Sequence, residues 1–166
     1  IALTAIYWAR RLGAGRIVAM SRSPRRAELA IRMGANAFVA YGENEVAEGI
    51  EALGGPADHV FECVGVPGML AKSVSHASLM GKVHSLGLCM TPDAINPMLT
   101  GIRGISMTFP VGYSVKDFSY VAQSMLGGHI DPKAMISAVV SLEDLPGTFA
   151  RLLDHNTENK VQIAPG

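Results

Sequence analysis

The sequence carries no net charge, because 14 Lys and Arg balance 14 Asp and Glu. That balance removes any global electrostatic ground for binding nucleic acid or an anionic membrane surface. No uninterrupted apolar run approaches the ~18 residues that a membrane-spanning helix needs. The N-terminal stretch does not read as a secretory signal either, since no basic region precedes its apolar residues and its arginines follow them. Cysteine is scarce: Cys63 and Cys89 are the two present, too far apart for a C-x-x-C ligand pair. Both sit among apolar neighbours and read as structural thiols of a reducing compartment, which places the protein in the cytoplasm. The five histidines, His59, His76, His84, His129 and His155, show no H-E-x-x-H or similar metal spacing. They read as surface or locally bonded imidazoles. What is present is 49% hydrophobic and 17% charged over 166 residues, enough for one sizeable core and a single domain spanning 1–166.

The most informative segment runs from Arg16 to Ala35, RIVAMSRSPRRAELAIRMGA. Ile17 to Met20 is a short apolar run of the kind buried on both faces of a parallel sheet. Ser23 and Pro24 follow as a helix cap and first helical residue, and Gly34 ends that helix. Strand, turn and helix in this order form half of a dinucleotide-binding unit. In NAD-binding sheets the second strand normally ends in an acid that accepts hydrogen bonds from the ribose 2′-hydroxyl, whereas an Arg accommodates the 2′-phosphate of NADP. Here the acid is missing, and Ser21 and Arg22 stand at that place. A hydroxyl beside a planar guanidinium suits a phosphate, which an acid would repel. The plainer alternative is that Arg22, Arg25 and Arg26 solvate the start of a helix.

Upstream, Ala2, Ala5, Ile6, Ala9 and Leu12 mark one face of a helix that Gly13 stops. The chain thus opens inside a helix, with neither a preceding strand nor the G-x-G-x-x-G turn that holds a pyrophosphate. It has no initiator Met, and it reads as a fragment, a processed product or a portion of something longer.

Downstream, short apolar runs alternate with helical patterns. Strands are expected at Ala37–Ala40, His59–Cys63 and Lys82–Leu86, and helices at Glu45–Leu53 and Met69–Ala77. Each of the later strands runs into a glycine turn, Val64-Gly65 and Leu86-Gly87, where small residues allow close backbone approach to a ligand at a strand's carboxyl end. Ordinary turn chemistry is the competing account of these glycines. Ile105–Val111 reads as a strand broken near Pro110, hence an edge. Ser114 caps a helix carrying Val115, Phe118, Val121, Ala122 and Met125, ended by Gly127-Gly128. Val139–Ser141 and Lys160–Ile163 read as closing strands around a helix at Leu145–Leu153. The sum is an α/β fold, a doubly wound Rossmann-type parallel sheet with helices on both faces. In the strand order 3-2-1-4-5-6 its first central strand is missing at the N-terminus, leaving strands two and four each with an unpaired edge.

Four segments in order, RIVAMSRSPRRAELAIRMGA, DHVFECVGVPG, GKVHSLGLCMTPDAINPML and ISMTFPVGYSVKDF, resemble the cofactor-binding domain of the medium-chain dehydrogenase/reductase family, zinc-dependent alcohol dehydrogenase type. The resemblance extends over Ile1–Ile163. It implies NAD(P)-dependent oxidation of an alcohol or reduction of a carbonyl. By the same resemblance, Ser21 and Arg22 match the ribose-discriminating positions in their NADP-preferring form, and Arg26 a basic position near the adenosine. Val64 and Gly65 match the turn along the adenine and ribose, and Leu86, Gly87 and Leu88 the turn at the nicotinamide. Thr108 and Phe109 match the approach to the carboxamide, and Lys160 a basic position that reaches the pyrophosphate. Ile105–Val111 matches the edge strand through which family members pair as dimers.

The family's catalytic zinc, its Cys and His ligands and its proton relay lie mainly in an N-terminal domain that precedes the glycine turn. None of that is in this sequence, so the chain alone is expected to be inactive and to hold neither catalytic residues nor metal. Zinc belongs to that other domain, and some members dispense with it. Two other classes stay open: a non-catalytic dinucleotide-binding module, and an assembly domain acting through its edge strand.

Overall fold

The computed structural model describes residues 1–129, 132–154 and 158–165. They form two compact units, Ile1–Gly112 and Tyr113–Gly166.

The first unit opens with α1 (Ala2–Arg11), whose Ile6 is buried. Gly13, at φ +96°, turns the chain away from it. Arg10 secures this corner: its guanidinium donates to the carbonyls of Gly34 at 3.0 Å and Ala14 at 2.9 Å, and to the Asn36 side chain. The Asn36 Oδ1 also accepts from the Ile17 amide at 2.9 Å, so one side chain ties the end of a helix to the entry of a strand. That strand, β1 (Val18–Ser21), pairs in parallel with β2 (Ala37–Ala40), Val18 opposite Ala37 and Ser21 opposite Ala40. Between them the Ser23 hydroxyl accepts from the Arg25 amide and caps the 3₁₀ turn Pro24–Arg26, which leads into α2 (Ala27–Arg32).

After α3 (Glu45–Leu53), β3 (Ala57–Glu62), α4 (Met69–His76), β4 (Ala77–Ser85), α5 (Pro97–Ile102) and β5 (Ser106–Thr108) follow. These strands make a second parallel sheet in the order β3-β4-β5, with Phe61 opposite His84, Glu62 opposite Ser85, and His84 opposite Thr108. Its core is Val74, Ala77, Val83 and Ile105, with Val60 and Met107 against them. Burying these branched side chains between α4 and the sheet is the main local source of stability.

Parallel strands with helical crossovers give the expected α/β class. β1-β2 and β3-β4-β5 are not hydrogen-bonded to each other, so β1 and β3 each pair along one edge among the described residues. Three expectations are corrected. The strand expected over Ile105–Val111 is confined to Ser106–Thr108: Ile105 packs in the core ahead of it, while Phe109, Pro110 and Val111 are exposed beyond its pairing with β4. Pro110 has no amide to donate, which ends the ladder. Second, β4 begins at Ala77, five residues earlier than expected, because a bulge at Met80, φ +60°, lets Ala77 pair with Ala57 before the regular register starts at Lys82. Third, α5 forms over a segment whose sequence shows no helical periodicity.

The second unit holds α6 (Val115–Leu126), opened by a capping box in which the Ser114 hydroxyl accepts from the Asp117 amide and the Asp117 carboxylate accepts from the Ser114 amide. A two-stranded parallel sheet joins β6 (Ala138–Val140) to β7 (Val161–Ile163), with α7 (Leu145–Asp154) as the crossover.

Candidate functional site

At the carboxyl end of β1, the Ser21 carbonyl accepts from the Tyr41 amide at 2.9 Å. Arg22 follows, exposed, and Arg26 lies half-buried in the 3₁₀ turn. Tyr41 stands just past β2. Burial pushes its phenol above the ordinary range, Glu45, Glu62 and Cys63 add to that, and Arg22 opposes them. Hydroxyls beside a guanidinium, with no acid closing β1, form a donor set suited to a phosphate.

The turns after β3 and β4 meet backbone to backbone. Gly65 has φ +72°, and a Cβ on it would lie 2.7 Å from the Leu88 nitrogen; a Cβ on Gly87 would lie 2.7 Å from the Gly65 Cα. Only glycine at both positions permits this approach. The close contact that these glycines serve is thus between two turns of the chain itself. Beneath them sits the buried Glu62, whose Oε1 accepts from the amides of Val64 at 2.5 Å and Gly65 at 2.9 Å.

Beside these turns runs a groove of about 370 Å³. Val66, Leu70, Leu88 and Phe109 give it apolar walls, and Glu62, Ser85 and Asp93 give it polar ones. Asp93 fastens the loop after β4 to the start of α4, accepting from the amides of Gly68 at 2.6 Å and Leu70 at 3.1 Å. Those two bonds hold its carboxyl below the usual carboxylate range.

Among the residues singled out in the sequence, Gly87, Leu88 and Phe109 line one groove, and Val64 and Gly65 stand on the turn that packs against Gly87 and Leu88. Ser21, Arg22 and Arg26 cluster at the end of β1. Thr108 does not join the groove. By strand alternation it shares the opposite face with Phe61 and His84, and its hydroxyl lies 2.8 Å from His84 Nδ1. The other His84 nitrogen is 3.0 Å from His59 Nδ1. Burial first, then His59 and Lys82, hold the His84 imidazole below its ordinary pKa. Leu86 faces a separate apolar hollow of about 310 Å³ lined by Trp8, Leu12 and Phe61. Lys160, in the second unit, is exposed, and its carbonyl accepts from the Ser137 amide at 2.9 Å.

Glu62, Asp93 and Tyr41 were not singled out in the sequence. The one local signal was an acid closing the apolar run of β3, where burial is certain to demand hydrogen-bond partners. Burial pushes the Cys63 thiol up to about 11, away from the thiolate form. Among the described residues no three His, Cys, Asp or Glu side chains gather as a metal would require. The groups described here do not fit a zinc site.

The family profile described as zinc-binding dehydrogenase matches residues 1–126. The chain belongs to the zinc-binding dehydrogenase family. Within it, L-threonine 3-dehydrogenase of Bacillus licheniformis is 32% identical over 176 residues, covering 99% of this chain and 49% of the relative. The 2R,3R-butanediol dehydrogenase of Bacillus subtilis superposes with a TM-score of 0.86 at 26% identity, over 99% of this chain and 48% of that one. A Sinorhizobium meliloti structure described as a zinc-binding dehydrogenase bound to NADP superposes equally well, 0.86 at 26% identity, over 98% and 49%. This zinc-binding dehydrogenase chain spans about half the length of the curated relatives it matches.

Proposed function

We propose that this chain is the cofactor-binding portion of an oxidoreductase that transfers a hydride between an alcohol or carbonyl substrate and a nicotinamide, with NADP favoured over NAD. The observation that carries the reading is the end of β1, where Ser21 and Arg22 replace the acid that a free 2′-hydroxyl would call for. The NADP-bound relative supports a nicotinamide cofactor.

Arg22 donates charge-assisted hydrogen bonds to the 2′-phosphate, and Ser21 adds a hydroxyl to the same group. Arg26 lies toward the adenosine. Val64 and Gly65 border the adenine and ribose, and Gly87, Leu88 and the backbone of Leu86 border the nicotinamide. Phe109 and Leu88, exposed at the groove, offer the cofactor apolar surface to cover. The main chain of Thr108, whose hydroxyl lies on the other face with His84, closes β5 toward the carboxamide. When bound, the cofactor supplies or takes up the hydride. The substrate pocket, and zinc where it is used, belong to a domain outside this chain, and the chain by itself does not catalyse. β5 is the edge through which two copies join, and the cytoplasm is the working compartment.

The test is the Arg22→Ala substitution in the full-length protein, with dissociation constants measured for NADPH and NADH. NADPH is expected to lose about 1.5 to 3 kcal/mol, the scale of a hydrogen bond to a charged group, and NADH far less. Equal losses would sink the NADP preference.

A further inference from the structure

We infer that Glu62 is a positioning residue: its buried carboxylate locks the turn after β3 to the turn after β4 and so fixes both surfaces against which the cofactor lies. The inference rests on the cofactor reading of those turns given above. Glu62 retains 4% exposure. A carboxylate is rarely buried to that degree without compensation. Among the described residues no Lys or Arg forms an ion pair with it. Its compensation comes from the two turns themselves. Oε1 accepts from the Val64 and Gly65 amides at 2.5 and 2.9 Å, and Oε2 from the Ser85 hydroxyl at 3.3 Å. The Glu62 carbonyl accepts from the amides of Leu86 at 2.7 Å and Gly87 at 3.0 Å.

One residue at the end of β3 thereby gathers donors from its own turn and from the neighbouring strand's turn. The glycines let those turns touch, but glycine brings no preference for one arrangement. The carboxylate supplies it. Without an acceptor beneath them, the part-buried Val64 and Gly65 amides lose their partner, and the turn reorganises to find water. Glu62 also borders the groove next to Ser85 and Gly87, so such a shift moves the groove wall directly. The requirement is for an acceptor at the right reach. Gln keeps Oε1 for both amides and offers its NH₂ to the Ser85 hydroxyl, whereas Asp is one methylene short and Ala has no acceptor.

The experiment measures NADPH and NADH affinity of the full-length protein by fluorescence titration, alongside thermal stability. Glu62→Ala and Glu62→Asp are expected to weaken binding roughly ten-fold or more, the scale of stranding donors that a charged acceptor had satisfied, while Glu62→Gln stays within about three-fold. Should Glu62→Ala fail to fold, Glu62→Asp carries the comparison. Val83→Ala, which trims the fully buried core of the same sheet, serves as the control. It lowers stability and leaves affinity as it was. Affinities of the Ala and Asp variants within about two-fold of the parent overturn the inference. So does a loss in Glu62→Gln equal to that in Glu62→Ala, or an equal loss in Val83→Ala. If the unsubstituted protein binds neither cofactor, the cofactor reading itself falls, and the positioning role falls with it.

Discussion

Two glycines separated by 22 positions in sequence do different physical work at one contact. Gly65 sits in the left-handed region and also has the Leu88 nitrogen 2.7 Å from where its Cβ would be. Gly87 lies outside the left-handed region and is required by the approach of Gly65 and of the Glu62 Oε2, 2.8 Å from where its Cβ would be. Gly68, three residues along the same loop, shares the left-handed conformation at φ +87° but has open space where a Cβ would go. Gly68→Ala therefore incurs backbone strain alone, expected at roughly 1 kcal/mol, and Gly65→Ala incurs strain plus a clash with main chain that cannot swing away, expected at about 2 to 3 kcal/mol. Urea denaturation of the two variants checks the order. Equal losses would mean that the β3 and β4 turns separate easily, which would also weaken the case for Glu62 as their clamp. The sequence made Gly65 and Gly87 visible as glycines after strands, but the reason for them was out of reach. Whether a glycine faces a ligand or another turn depends on how β3 and β4 pair, and that is tertiary information. Ser21 and Arg22 were legible for the opposite reason: strand, turn and helix around them are contiguous, so their place at a strand's carboxyl end follows from local pattern alone.

The same division appears among the elements. α3 runs from Glu45 to Leu53 in the bounds its periodicity implies, and α6 starts after a Ser114 capping box that the sequence displays. Both have a cap or first-turn acid, an apolar face and a glycine stop. α5 has none of that periodicity. Its residues, PMLTGI, include Thr, Gly and Ile, poor helix formers, over six positions. What holds it is its start: the Asn96 side chain accepts from the amides of Met98 at 3.0 Å and Leu99 at 3.2 Å, with Pro97 at the first helical position. That Asn-Pro pair was the signal in the sequence, overshadowed by the turn-rich residues before it. Because so little else supports the helix, Asn96→Ala is expected to cost about 1 kcal/mol of stability in denaturant unfolding. A negligible change would mean that packing of Thr100 and Ile105, both buried, holds the segment without its cap. β5 illustrates the reverse error. Its apolar run extends to Val111, but pairing with β4 stops at Thr108, ahead of Pro110, which cannot donate to the ladder.

In the first unit, the sheets expose an imbalance that composition cannot reveal. β4 is paired on both sides, with Val83 fully buried in its middle, whereas β1 and β3 each have one hydrogen-bonded neighbour among the described residues. Helices nevertheless cover both: α1 touches β3, α3 touches β1 and β2, and α4 touches β3 and β4. A strand covered by helices but unpaired along an edge has amides and carbonyls that packing cannot satisfy, and each such group opposes burial until a strand or water reaches it. Local stability should then be graded across the unit, highest at β4 and lower toward the free edges of β1 and β3. Hydrogen exchange on the 166-residue chain tests this. The amides of β4 are expected to exchange slowest and together, and those on the unpaired sides of β1 and β3 to exchange faster by local opening. A longer form of the protein that supplied a strand pairing with both edges would slow the β1 and β3 amides selectively. Uniform protection in the 166-residue chain would instead mean that its two free edges are already covered, by each other or by a second copy, and dilution would separate those cases because only the second depends on concentration.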